Sequence, residues 1–158
     1  MIVFNSFKCE SILMKIIIII FILMSFVLCP ENVTNKGLTE NDLFEFYWNG
    51  ILETESNNMH YRNWKIVKSH KGAVGIAQVK PATFNDIIRW SKRKDLKSND
   101  VYHPKYNEWA GRFYFSNAFF YVYRSDVVKA VSSYNMGTNS KRINYNYVGK
   151  VFLNGSYD

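Results

Sequence analysis

Between Thr39 and Glu55 the apolar side chains recur at helical spacing, with Leu43, Phe44, Tyr47, Trp48, Ile51 and Leu52 making one stripe. A stripe of this width has to be buried against other elements, so the chain must fold around this helix. Thr39 and Asp42 have the spacing of a capping box, which predicts that the helix opens at Thr39. The stripe ends in a carboxyl group. Glu55 follows Ile51 by four residues and Trp48 by seven, and therefore shares their face, whereas Glu53 points toward solvent. At a helix C-terminus the macrodipole and apolar neighbours both favour the protonated form of a carboxyl group, and a group so held suits general-acid work.

The elements that follow are mostly helical. Residues 56–71 read as polar and irregular, with Trp64 their one indole, and Gly72 and Gly75 then permit a tight bend. Pro81 fits the first turn of a helix continuing to about Arg93, with Phe84, Ile87, Ile88 and Trp90 as its apolar positions. A loop with Asn99, Asp100 and Pro104 precedes an aromatic helix over about 105–124, containing Trp109, Phe113, Phe120 and Tyr123. Ser125 is placed to cap the next helix, and Gly137 to end it in a left-handed conformation. YVGKVFL makes a short final helix. Five or six helices with no convincing strand pair predict a compact, mostly α domain over 39–158, and 158 residues need no second one.

The first 29 residues read differently. Ile16 to Leu28 is apolar throughout and follows Lys15, as in a signal peptide, with retention as an uncleaved membrane anchor the alternative. Met14 makes a more ordinary start for such a signal than Met1. Residues 30–38, with Pro30 and Gly37, read as a linker. Cys9 and Cys29 are the only cysteines, so the remainder has no internal disulfide and no cysteine metal site, and the bulky Phe26 and Leu28 argue against lipidation at Cys29. Without residues 1–29 the chain keeps 18 basic and 12 acidic side chains. A basic exported domain has anionic wall polymers or a membrane as partners, and export argues against nucleic acid. The densest basic run, Arg89 to Lys97, reads as a solvated helix end.

Taken in order, Glu55-Ser56, GAVGIAQVKPAT, NEWAGRFYF, VSSYNMG and YVGKV resemble the motif set of the soluble lytic transglycosylase family, with its goose-lysozyme-like fold. The Glu-Ser and Gly-Ala-x-Gly elements are met at Glu55, Ser56, Gly72, Ala73, Gly75, Ile76, Gln78, Pro81 and Thr83. The later elements are met at Pro104, Asn107, Gly111 and Tyr114, at Tyr134, Asn135 and Gly137, and at Tyr147, Val148, Lys150 and Val151. Phe115 stands for a leucine, Ser133 for an alanine and Ala77 for a common methionine, and the segment from Glu55 to Gly72 is about five residues longer than usual. The resemblance covers essentially everything after residue 39.

It implies cleavage of the β-1,4 bond between N-acetylmuramic acid and N-acetylglucosamine in peptidoglycan, with a 1,6-anhydro product. Glu55 would act as acid and then as base. Ser56 would orient the acid or the acetamido group, Gln78 and Asn135 would bind sugar polar groups, and Tyr134 and Tyr147 would line the cleft. No cofactor is implied, and the place of action would be the periplasm or cell envelope. Small members of the family often serve a secretion or conjugation apparatus. Residue by residue, plainer readings stay open: Ser56 as a solvated helix end, Gln78 closing its own turn, Tyr147 as packing and Met136 as filler.

Other chemistries find little support. His60, His70 and His103 lack metal-ligand spacing and read as solvated or loop residues, and no nucleophile triad or phosphate-binding loop is present. Two readings compete with the transglycosylase. A hydrolytic lysozyme would need Asp86, Asp95, Asp100 or Glu108 to position a water. A catalytically silent wall-binding or scaffold protein would bind glycan whether or not Glu55 is intact.

Overall fold

In the computed structural model, residues 37–124 and 126–157 are described. The apolar segment Ile16–Leu28, Cys9, Cys29, most of the 30–38 linker and the expected cap Ser125 lie outside them. From Leu38 onward the chain forms one compact unit. Helix α1 spans Glu40–Ser56 and opens with the expected capping box: the Thr39 side chain accepts from the Asp42 N–H, while the Asp42 carboxylate accepts from the Thr39 N–H at 2.8 Å.

Its stripe is the spine of the core. Phe44, Trp48, Ile51 and Leu52 are buried, and Phe44 packs its ring against Phe115, Phe119 and Phe120 at centroid distances of 5.2–5.8 Å. Each such side chain contributes about 1.5–3 kcal/mol by leaving water. Helix α2 is Pro81–Trp90 and α3 is Pro104–Ser116, joined by a 3-10 turn at Ser98–Tyr102. The aromatic segment expected as one helix over 105–124 instead loosens after Ser116 into a π-helical turn, Asn117–Val122.

Helix α4, Val127–Met136, is capped by Asp126, whose carboxylate accepts from the Lys129 N–H at 3.2 Å. Gly137 ends it with φ 85° and ψ 149°, so the expected left-handed cap is corrected to an extended, positive-φ turn open essentially to glycine alone. Helix α5, Tyr145–Asn154, packs most extensively on α1. The contact needs glycine at position 50, because a Cβ there would lie 2.1 Å from the Val151 carbonyl oxygen.

The expectation that 56–71 is irregular and that no strands pair is also corrected. Tyr61–Arg62 (β1) and Lys65–Ile66 (β2) form an antiparallel hairpin, with Arg62 opposite Lys65. Its two-residue turn, Asn63-Trp64, has φ of 51° and 62°, the conformation that hairpin turns favour and that Asn-Gly meets best. Trp64 is 99% exposed in a backbone state costing a non-glycine residue about 1–2 kcal/mol. Trp64→Gly is therefore expected to stabilise the domain by about 0.5–1 kcal/mol, net of the entropy glycine loses on folding. A lower melting temperature for the variant would contradict this.

Candidate active site

The site grows from the C-terminal end of α1. Glu55 is the penultimate residue of that helix, whose last turn carries no basic side chain. It lines a cleft of about 600 Å³ together with Gln78, Gly111, Tyr114, Tyr134 and Asn135, and also Lys71, Lys80, Thr83 and Met136. Tyr147, 92 residues away in sequence, donates its hydroxyl to Glu55 Oε1 at 2.7 Å. Burial pushes the Glu55 carboxyl above the ordinary 4.5 and outweighs the Tyr147 hydrogen bond, which pulls it down. Tyr134 and Tyr147 are held well above the ordinary phenol value, chiefly by burial and then by the Glu55 charge beside them, so both stay protonated donors. Glu55 is the one acid lining the cleft among the described residues.

The glycine-punctuated turn forms the facing wall, and buried polar side chains hold it. Asn107, fully buried on α3, accepts from the Ala77 N–H at 2.9 Å and donates to the carbonyls of Val74 and Val101 at 2.8 and 3.0 Å. His60 accepts at Nδ1 from the Ile76 N–H at 3.2 Å, which makes Nε2 the donor to the Tyr102 carbonyl at 2.9 Å. Of the two readings of His60, solvated or loop, the loop one holds, since it lies between α1 and β1, and the solvated one is corrected: only 7% of it is exposed, because two backbone groups satisfy both ring nitrogens. Gly75, at φ 77°, lies so close that a Cβ would meet Asn107 and His60 atoms at 2.6 Å. Among the described residues no cluster of three or more His, Cys, Asp and Glu side chains can hold a metal.

Of the residues singled out in the sequence, Glu55, Gln78, Tyr134 and Asn135 line the cleft, and Tyr147 reaches it through Glu55. Gln78 also closes its own turn, donating Nε2–H to the Gly75 carbonyl at 2.8 Å. Tyr134 donates to the Ala77 carbonyl at 2.7 Å, tying α4 to the turn. Asn135 accepts from Asn144 Nδ2 at 3.1 Å. Of the roles open to Ser56, contact with the substrate and a solvated helix end are corrected: its side chain is buried and does not line the cleft. Its hydroxyl lies 2.7 Å from the Ile76 carbonyl and 3.1 Å from the Leu52 carbonyl, and it accepts from the Met59 N–H at 3.2 Å. Ser56 therefore positions the residue next to it by fastening the helix end to the turn.

Met136, read as filler, lines the cleft, as do Lys71, Lys80 and Thr83, which carried no expected role. The carboxylates that a hydrolytic reading calls on stand elsewhere. Asp86 pairs with Arg89 and Asp95 with Arg93, Asp100 accepts from the Lys97 N–H, and Glu108 does not line the cleft. The Arg89–Lys97 run, with both arginines satisfied by neighbouring acids, is a solvated helix end.

A small helical domain whose first helix delivers a glutamate into a cleft, opposite a glycine-rich turn, defines a lysozyme-like class of protein. The family model for the transglycosylase SLT domain matches residues 39–151, and the chain belongs to that family. None of the curated proteins compared matches it. Among solved structures it is similar to an inactive mutant of the lytic transglycosylase Slt from Pseudomonas aeruginosa, with a TM-score of 0.50 and 19% identity. That likeness covers 67% of this chain but only 18% of the other, and it speaks for the fold alone.

Proposed function

We propose that this chain is a peptidoglycan lytic transglycosylase acting in the periplasm or cell envelope on the β-1,4 bond between N-acetylmuramic acid and N-acetylglucosamine. The observation that carries the reading is Glu55, half-buried in the cleft, its carboxyl raised above the ordinary value by burial and bonded to Tyr147, with no second carboxylate lining the cleft among the described residues. A two-carboxylate hydrolase needs a second acid within about 5–10 Å. One carboxyl group suffices if the substrate supplies the rest.

In the first step Glu55 gives its proton to the glycosidic oxygen, the C1–O bond breaks and the substrate's acetamido oxygen stabilises C1. In the second the Glu55 carboxylate takes the proton of the C6 hydroxyl, O6 bonds to C1 and the acetamido group is released. The 1,6-anhydro ring closes without water, and Glu55 ends protonated as it began. Tyr147 steadies the carboxylate that exists between the steps, while Gln78 and Asn135 bind sugar polar groups and Tyr134 lines the cleft.

The test is release of soluble fragments from purified sacculi as a function of pH. Because the acid must be protonated, kcat/KM is expected to fall as pH rises through the raised Glu55 value. Tyr147→Phe removes the interaction that lowers that value, so the alkaline limb should move to higher pH. The same change should lower turnover about 10–100-fold, the worth of a hydrogen bond to a charged group. No release by the wild type, or an alkaline limb that stays in place in the variant, would contradict the reading.

A further inference from the structure

The two segments that wall the cleft share an unusual charge pattern. Between Glu55 and Asp86 stand five Lys and Arg residues and no acid, and between Asp126 and Asp158 stand four and no acid. Lys71 and Lys80 from the first segment line the cleft itself. From the second, Lys129, Lys141 and Arg142 line an adjoining cavity of about 310 Å³, together with Ser132, Ser133 and Ser140. Gly137 lines both cavities, so the second continues the first.

Lys129 is taken by Asp126, at 2.8 Å, but Lys71, Lys80, Lys141 and Arg142 have no acidic partner among the described residues. Outside the two cavities three arginines are paired, Arg89 with Asp86, Arg93 with Asp95 and Arg112 with Glu45, while lysines such as Lys92, Lys94 and Lys105 are not, among the described residues. What sets Lys71, Lys80, Lys141 and Arg142 apart is that they line concave surfaces whose one acid, among the described residues, is Glu55, and a concave surface of one sign concentrates the field on a ligand of the other.

We propose that the cleft selects glycan strands bearing free carboxylates, which Lys71 and Lys80 bind along the cleft and Lys141 and Arg142 bind in the cavity beyond Gly137. The proposal rests on the reading of the chain as a glycan-strand enzyme and names the form of strand it takes. A muramic acid residue offers carboxylate from two sources: its lactyl group where the peptide stem is absent, and the stem itself where it is present. Both present the same chemistry to an ammonium or guanidinium group.

The experiment measures equilibrium binding of purified glycan strands to the full chain carrying Glu55→Gln, which leaves the strand uncut. Stem-free strands, stem-bearing strands and the methyl esters of both are compared. Esterification is expected to weaken binding about tenfold at low salt, from several exposed charge pairs worth about two- to fivefold each. The difference should shrink as ionic strength rises.

Lys71→Met with Lys80→Met, and separately Lys141→Met with Arg142→Met, should each narrow the ratio to about threefold, while Lys71→Arg with Lys80→Arg should preserve it. Whichever free-acid strand shows the larger ester effect identifies the source of the carboxylate. Equal affinity for the free-acid and esterified strands would overturn the proposal, as would Met variants that weaken both alike. Failure of the underlying enzyme reading shows separately, as absence of soluble products from any strand with the wild-type chain.

Discussion

Glu55→Gln is expected to lower strand cleavage by about a thousandfold and, in the same molecule, to raise the melting temperature at neutral pH. The first effect follows from removing a proton donor for which the cleft holds no substitute, since general acid–base transfer is worth about 10²–10⁴-fold. The second follows from linkage. Burial raises the folded-state value of Glu55 above its unfolded one, so its contribution to stability is complete below the unfolded value and is lost as pH rises through the folded value. At neutral pH the folded protein holds a carboxylate that burial disfavours, and a neutral amide relieves that cost by about 1 kcal/mol, the usual scale of a stability gain at an active site. Below the ordinary carboxylate range the two proteins should melt together. A Gln variant less stable than wild type at neutral pH would show that Glu55 serves packing instead of chemistry.

Asn107→Ala is expected to cost about 3–5 kcal/mol. The substitution strips the Asn107 partner from the Ala77 N–H and the Val101 carbonyl and leaves the Val74 carbonyl with the Val79 N–H alone, at 3.0 Å, and each buried group left unpaired costs about 1–3 kcal/mol. The penalty should appear in urea as a lower midpoint with an unchanged slope. Cleavage should fall with it, because these bonds hold the turn that presents Gln78. A loss under about 1 kcal/mol would mean that the turn keeps its shape without the clamp.

The parts of this fold that were legible in the sequence are those decided within a few residues. The Thr39–Asp42 capping box, the stripe ending at Glu55 and the Pro81 helix start depend on spacing alone, and the structure has them in place. The hairpin was hidden because Asn63-Trp64 fills its turn with a tryptophan where glycine is the usual signal. His60 was read as a solvated or loop residue, and its burial was not legible because it depends on Ile76 and Tyr102, 16 and 42 residues further along. Ser56 was left between the acid and the substrate's acetamido group for the same kind of reason: the carbonyl that claims it belongs to Ile76.

The candidate site divides along the same line. Glu55 stood out from local pattern, but Tyr147 beside it depends on α5 packing against α1, which no local rule foresees. Only the family resemblance brought that tyrosine forward. Lys71 stands just before the GAVGIAQVKPAT motif and Lys80 at a position within it that the motif leaves free, and their place on the cleft became visible only once the turn and α4 were set opposite each other.

The central claim is that a single carboxyl group cleaves the strand without water, and the most direct test is mass spectrometry of the fragments that the full chain releases from purified sacculi. The account predicts muramic acid ends lighter by one water, carrying the 1,6-anhydro ring, with none released by Glu55→Gln. Reducing ends in place of anhydro ends, or release that survives the substitution, would contradict it.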